Sequence, residues 1–486
     1  MSSLKKVKIP FHKTKIVCTI GPASNSLSTI ENMIKNGMSV ARLNFSHGSL
    51  SEHKKNINMI QSVSNKLNQI ITILIDLPGS KIRVGKLQSE PITLNKGDQV
   101  TLTTKDVLGK PTLIPINYKK LTENISKGNK IYINDGLVEL KAEDVTADEV
   151  RCKVITGGIV LSHKGVNIPG VNLLLESVTY KDIKIVDFGL KHGVDTFGLS
   201  FIQNAKDILK IRNFARKKGK SVFIIAKIER REAIKNFDEI LKVVDGVMVA
   251  RGDLGLEIPL QEVPIVQKKL IRKANLASRP VITATQMLES MTDNTRPTRA
   301  EVTDVANAIL DGADAVMLSE ETAIGKYPVE TVKMMTKISA YIERNRDVEG
   351  FAYNLRYYLK NKVSSEHINI ADVISLNVVE ATEALKIKYI LTPTESGNTA
   401  RRISRFKPDC WILAFSRNKN TCSFLPFSYG VYPFFIKNKT AGWHDFILNF
   451  IKNVLLVKKG DKVILTQRRF AKQKGGTDSL GIINID

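Results

Sequence analysis

Asp245-Gly246-Val247-Met248-Val249-Ala250-Arg251-Gly252-Asp253-Leu254-Gly255, set beside Ile225-Ala226-Lys227-Ile228-Glu229, decides the fold of this chain. Each stretch is an apolar β-run whose last residues turn polar. Each puts a carboxylate, Glu229 or Asp253, at or just past the C-terminal end of a strand, with a cation, Lys227 or Arg251, two residues before it. A parallel α/β barrel keeps its chemistry at that end. One lysine and two carboxylates converging there suit a hard divalent cation and an oxyanion stabiliser.

Working outward, apolar β-runs recur at 14–21, 40–45, 71–77, 196–201, 222–229, 246–253, 280–286 and 315–321. Segments of helical period, such as 27–35, 53–67, 207–217, 263–277, 299–310 and 329–344, lie between most of them. Strand–helix units in this rhythm predict an α/β chain built on a (β/α)8 TIM barrel. The rhythm breaks after Asp76, and the next barrel strand begins only near Thr196. Short β-patterns fill the gap around Asn134-Asp135-Gly136 and Gly157-Gly158, which predicts a small all-β insert. Growing from the C-terminal end of a barrel strand, it would lie over the mouth as a lid. A fresh α/β pattern from Asn369 predicts a doubly wound C-terminal domain. The expected division is a barrel of 1–78 and 176–346, a lid of 79–175 and a C-terminal α/β domain of 347–486.

Composition narrows the class. A chain of 486 residues is too long for one core. Its 43% hydrophobic and 25% charged residues are ordinary for a soluble globular protein. With no run of 18 uncharged apolar residues, no membrane span is expected. The first residues lack the apolar core of a secretory signal. Cys18, Cys152, Cys410 and Cys422 show no CxxC spacing, which argues against zinc or a disulfide framework and for reduced thiols in the cytoplasm. The net charge of +25 suits phosphorylated metabolites, an anionic surface or nucleic acid. The lysines are spread along the chain and no nucleic-acid-reading module is visible, so a solvated surface is expected.

Lys227 and Glu229 flank Ile228 and so share the inward face of their strand. The competing reading is a buried pair that only fills the barrel; the cost of buried charge and the apolar layers normal to barrels weigh against it. Gly252 and Gly255 leave bare N–H groups beside Asp253, suited to a carboxylate or phosphate. Arg42, Asn44 and Ser46 alternate at the end of the second run. A guanidinium fork there meets phosphoryl oxygens two at a time, or forms a structural ion pair. Thr285, at the end of the seventh run, could relay a proton, although threonines on strands are more often structural.

Several motifs together resemble the pyruvate kinase family over essentially the whole chain: TKIVCTIGPAS at 14–24, VARLNFSHG at 40–48, KGVNIPG at 164–170, IAKIE at 225–229, MVARGDLG at 248–255, ATQMLESM at 284–291 and RPTRAE at 296–301. The resemblance implies phosphoryl transfer from phosphoenolpyruvate to ADP, giving pyruvate and ATP in the cytoplasm. It implies Glu229 and Asp253 as ligands of Mg2+ or Mn2+. Lys227 would stabilise the enolate oxygen and the phosphoryl group in flight, Arg42 would grip that group, and Thr285 would contact substrate on the route of enolate protonation. Gly252 and Ser200 complete the implied substrate set. His47, Arg83 and Lys164 match nucleotide-side positions, and Asp135 a lid residue. Asn44, Ser46, Asp76 and Leu77 match a monovalent-cation site. A homotetramer is implied as well.

Two departures from the family stand out. Lys81 occupies the acidic position that accompanies potassium dependence, and Leu77 replaces a common Thr ligand. A lysine ammonium can bring the charge potassium would supply, so activity without added potassium is expected. In Ser319-Glu320-Glu321-Thr322, Glu320 stands where a small residue is usual, with no mechanistic account. The loop Thr394, Ser396, Gly397, Asn398 and Thr399 opens a helix. By resemblance it would hold the phosphate of a sugar-phosphate or nucleotide activator, aided by the basic run 458–474 with Arg468 and Arg469; an ordinary helix cap is the alternative. A different enolate-handling barrel would have no need of the ADP-side residues or the lid. A nucleic-acid binder would show steep salt dependence.

Overall fold

The computed structural model describes residues 7, 9–171, 176–346, 369–437, 442–467 and 477–486. Eight parallel strands close a barrel in sequential order: Lys15–Thr19, Met38–Asn44, Thr72–Leu77, Thr196–Leu199, Phe223–Ile228, Gly246–Ala250, Val281–Ala284 and Ala315–Leu318. The eighth pairs with the first to close it. Helices run outside, among them Leu50–Leu67, Tyr180–Lys191, Ala205–Lys217 and Arg299–Leu310. Reciprocal capping boxes at Ser49 and Glu52, Thr179 and Asp182, and Thr298 and Glu301 satisfy first-turn donors and fix where three of these helices begin.

The strands stop sooner than their apolar runs suggest. The sixth ends at Ala250, paired with Ala284, the last residue of the seventh. Beyond that point neither strand has a ladder partner. The chain turns instead into the helix Arg251–Glu257, so Asp253 sits in a first helical turn and not at a strand end. Thr285 and Gln286 leave the seventh strand in the left-handed region, at φ 69° and 54°. Ser46 likewise lies past the second strand, which ends at Asn44.

The barrel interior is apolar at one end and charged at the other. Val17, Val40, Leu74, Ile225, Met248 and Ile282 form a buried layer, closed at the N-terminal end by Phe424 and Phe427 of the C-terminal domain. Phe223 stacks on Phe424 at 4.4 Å between ring centres. Charged side chains crowd the opposite, C-terminal rim.

Among its described residues the insert is all-β but for one short helix, Leu121–Asn124. A seven-stranded sheet has the order Ile82–Arg83, Gly165–Asn167, Lys130–Ile133, Val138–Val145, Glu149–Thr156, Gln99–Thr103, Leu113–Pro115, and Gly158–Val160 pairs with Ile92–Leu94. It carries its own core around Leu102, Ile131, Leu140 and Val150. The chain enters it through Gly79 at φ +60°, where an added Cβ would lie 2.9 Å from the Ser200 carbonyl oxygen, so both conformation and space require glycine.

The C-terminal domain is a five-stranded sheet in the order Val431–Phe435, Trp411–Ser416, Tyr389–Pro393, Lys462–Gln467, Ser479–Asn484, with the last strand antiparallel. The strand Val431–Phe435 and the helix Lys419–Phe424 were not legible in the sequence. Pro433 argues against a central strand, and this strand is the sheet's edge, where a missing donor is tolerated. The charged connection expected at 346–366 lies, but for Arg346, outside the described residues. All four cysteines are free and buried. Among the described residues no helix is long and apolar enough to cross a membrane.

Candidate active site

Lys227, the penultimate residue of the fifth strand, is 9% exposed and sits at the centre of the charged rim. Its Nζ donates to Ser200 Oγ at 2.7 Å, and lies 3.0 Å from Glu229 Oε1 and 3.3 Å from Asp76. Burial pushes the Lys227 ammonium toward neutrality, but Asp76 and Glu229 outweigh it and raise its pKa above the ordinary lysine value. Ser200 passes the chain of bonds on, donating to the Leu77 carbonyl at 2.8 Å. Glu229 accepts from the Phe201 N–H at 2.7 Å. Burial, and then the nearby charge of Asp253, push its carboxyl up against the pull of Lys227.

Arg42 enters from the second strand with its guanidinium forked onto Asp76, Nε at 2.8 Å and Nη2 at 2.5 Å. A third bond runs from Nη1 to Thr19 Oγ1 at 2.9 Å. Asp76 is thus held between two cations. Burial alone would raise its pKa, but Lys227 and Arg42 hold the carboxyl below the ordinary value. The sequence aimed Arg42 at substrate; its fork is already engaged with a carboxylate. Asn44 and Ser46 do not extend that inward row: the Asn44 side chain accepts from the Ser46 N–H at 3.1 Å, closing the turn after the strand.

On the other side of the rim, Lys81 Nζ lies 2.7 Å from Asp253 Oδ1 and 3.6 Å from Asp135 Oδ1. The Gly252 N–H donates to Thr285 Oγ1 at 3.0 Å, and that hydroxyl donates to the Ala284 carbonyl at 2.6 Å. The left-handed turn at Thr285 is held from outside by Arg251, whose guanidinium donates to the Ala284 carbonyl at 3.2 Å and the Thr285 carbonyl at 2.6 Å while pairing with Asp304 at 2.7 Å. Sequence reasoning noted Arg251 as a charge but not as the brace of Thr285. The sign missed was its place at the first residue of a helix, where a side chain can reach back over the neighbouring strand's end.

Glu229 and Asp253 are two carboxylates, and the charge of Asp253 adds to burial in raising the cost of ionising Glu229. That donor set fits a hard divalent ion with two protein ligands, the remaining positions being left to water and substrate oxygens. Among the described residues no group of three or more His, Cys, Asp and Glu side chains comes together as a metal cluster.

His47, just past the second strand, and Arg83 and Lys164 of the insert, the positions the resemblance gives to the nucleotide, lie near one another. His47 is exposed. Partial desolvation first, then the charges of Arg83 and Arg42, hold its pKa below the ordinary histidine value, with Lys164 adding to them and Glu320 opposing. Glu320, exposed in the first turn of Glu320–Ala323, is therefore a negative charge acting on a basic cluster. Arg83 donates to the His163 carbonyl at 2.8 Å, which ties it to the loop bearing Lys164.

The C-terminal loop is less open than its composition suggests. Thr394 Oγ1 accepts from the Gly397 N–H at 2.9 Å, and Thr399 Oγ1 meets Thr477 Oγ1 at 2.5 Å. Gly397, at φ +75°, caps a helix of only seven residues, Asn398–Ser404. Arg468 and Arg469 lie outside the described residues.

Comparison with known proteins gives one consistent result. Residues 11–332 match the family described as pyruvate kinase, barrel domain, and residues 372–483 the pyruvate kinase alpha/beta domain. The chain is 52% identical to a pyruvate kinase of Thermococcus litoralis over 479 residues, covering 99% of this chain and 100% of the relative. It is 40% identical to a pyruvate kinase of Thermotoga maritima, with 97% and 99% covered. The crystal structure of a pyruvate kinase from Cryptosporidium parvum superposes with a TM-score of 0.90 at 35% identity, over 98% of this chain and 97% of that one.

Proposed function

The chain belongs to the pyruvate kinase family, and on that premise we propose that it transfers the phosphoryl group of phosphoenolpyruvate to ADP, giving pyruvate and ATP. The observation that carries this reading is the buried Lys227 ammonium held by Asp76, Glu229 and Ser200 at the barrel's C-terminal rim. Phosphoryl transfer needs alignment and neutralisation of charge more than covalent help. Lys227 is kept charged and immobile where an enolate oxygen and a phosphoryl group would lie. Arg42, its fork held on Asp76 and Thr19, would turn its remaining N–H groups to the same phosphoryl oxygens. Thr285, braced by Arg251, places a hydroxyl for contact with substrate and for the proton route to the enolate carbon. Gly252 and Ser200 complete the substrate pocket.

Glu229 and Asp253 would hold Mg2+ or Mn2+. The ion, when bound, neutralises oxygens that gain charge in the transfer. His47, Arg83 and Lys164 would take the nucleotide, with Asp135 closing over it. The lid, taken as 79–175 between the barrel halves 1–78 and 176–346, would exclude water and so protect the enolate, swinging about Gly79 and Gly170. The Lys81 ammonium, beside Asp253, would stand in for potassium, leaving Asn44, Ser46, Asp76 and Leu77 without a required ion. The 394–399 loop of the domain at 347–486 would accept a sugar-phosphate or nucleotide activator in a cytoplasmic homotetramer.

A coupled assay tests this directly: pyruvate release from phosphoenolpyruvate with Mg2+, with and without ADP, and with and without potassium at constant ionic strength. Strictly ADP-dependent release, changed little by potassium, is expected. Release without ADP would point to an aldolase or lyase instead, and strong potassium activation would remove the role given to Lys81.

A further inference from the structure

Lys81 belongs to the lid, yet its ammonium ends on the barrel. It leaves the lid's root, just after Gly79, and reaches Asp253 Oδ1 at 2.7 Å across 172 residues of sequence. On the way it passes Gly165 of the lid strand Gly165–Asn167, where an added Cβ would fall 2.5 Å from Lys81 Cε. Gly165 does not adopt a left-handed conformation, so its missing side chain supplies space for that lysine. The ammonium also lies 3.6 Å from Asp135 Oδ1, in the turn Asn134-Asp135-Gly136 of the lid. That turn touches the barrel itself: a Cβ on Gly136 would lie 2.8 Å from Leu256 Cδ2, on the same helix that carries Asp253. The Lys81 side chain is 15% exposed; burial pulls its pKa down, but Asp253, joined by Asp135 and Glu229, outweighs that and raises it.

We propose that Lys81 is an internal cation that competes with the divalent metal for Asp253 and, through Asp135, latches the lid turn to the barrel. The inference rests on the reading of Glu229 and Asp253 as the metal ligands. An oxygen of Asp253 that accepts from an ammonium at 2.7 Å is partly neutralised, and a second cation arriving there meets the repulsion of the first. Metal binding and lid contact are therefore coupled: an ion at Asp253 loosens the hold of Lys81 on the barrel, and a lid pressed down by Lys81 weakens the ion. The competition disappears only when anionic substrate adds charge that both cations can share.

The test is Mn2+ binding by the full-length chain without substrates, read from the electron paramagnetic resonance signal of free Mn2+, together with amide exchange of the segment 130–138. Lys81→Met should bind Mn2+ about tenfold tighter or more, as expected for removing a neighbouring cation, and exchange at 130–138 should speed up. Gly165→Ala forces Lys81 aside without deleting it and should move both readouts the same way, which covers the case that Lys81→Met folds poorly. Asp135→Asn should speed exchange with a smaller change in Mn2+ affinity. Unchanged or weaker Mn2+ binding in both Lys81→Met and Gly165→Ala overturns the competition, provided Glu229→Gln has lost the ion. If Glu229→Gln binds Mn2+ like the unmodified chain, the metal-site reading itself falls, and this inference with it.

Discussion

Lys227 and Lys407 are both buried ammonium groups, one at each end of the barrel, and their surroundings push them in opposite directions. Lys227 meets two carboxylates, Asp76 and Glu229, and a hydroxyl, and its pKa is raised. Lys407, 2% exposed, comes from the C-terminal domain to meet Asp314 at 2.8 Å, at the start of the eighth strand, and Asn275 Oδ1 at 3.0 Å. There burial outweighs the single carboxylate, and the pKa is lowered. Asp314 is shared out further: it also accepts from the Tyr429 N–H at 3.0 Å and the Val281 N–H at 3.1 Å. The C-terminal rim holds negative charge in reserve for cations, while the N-terminal end holds only enough to fasten one domain to another. That matches the division of labour in barrels, where chemistry sits at one face and stability at the other.

The largest expected effect belongs to the fastening end. Lys407→Met strands Asp314 in a buried place, and removing one partner of a buried pair costs about 3–5 kcal/mol. Denaturant unfolding should register that loss, while the folded variant keeps near-normal turnover. A cost below about 1 kcal/mol, with the same turnover, would mean that water replaces the ammonium and that the two ends differ less than their geometry implies.

Next comes the chemical end. Lys227→Met should cut turnover by about 10²–10³-fold, as for loss of one preorganised oxyanion donor, while Mn2+ binding persists on Glu229 and Asp253. Arg251→Ala should do less, about tenfold, because it touches substrate only through the Thr285 turn, and loses bonds worth about 1–3 kcal/mol. The Arg251 effect should appear in kcat, beside a loss of stability of about 1–3 kcal/mol. A variant of Lys227 that turns over normally would reduce the contrast between the two lysines to packing alone.

How much of this could be read from the chain depends on the range of the interaction. All eight barrel strands were legible, because each is a local apolar run, and the pairing of Lys227 with Glu229 follows from two-residue alternation along one strand. The strand ends were not, since Ala250 and Ala284 stop together only because each is the other's last ladder partner. For that reason Asp253 and Thr285 were assigned to strands when they lie on a helix and in a left-handed turn. The Lys81–Asp253 contact spans 172 residues and has no local signature at all. Lys407 and Asp314 escaped notice for the same reason, as both look like ordinary charged residues until two domains meet. The edge strand Val431–Phe435 was hidden by Pro433, whose meaning changes with position in the sheet.

The smallest effect is the sharpest in sign, and it lies in alkaline solution. An unfolded lysine loses its proton near about pH 10.4. Lys227 in the folded chain holds its proton more tightly than that. Its contribution to stability is fully present below about pH 10.4 and lost as pH rises through the higher folded value. Lys407 in the folded chain holds its proton less tightly. Between its lowered value and about pH 10.4 the unfolded chain binds more protons than the folded one, so stability from this site rises with pH. Unfolding free energies measured against pH should therefore diverge: the gap between the unmodified chain and Lys227→Met narrows above about pH 10.4, while the gap to Lys407→Met widens as that pH is approached from below. Parallel curves for the two variants would mean that the two ends of the barrel impose the same field on a buried ammonium, whatever their neighbours.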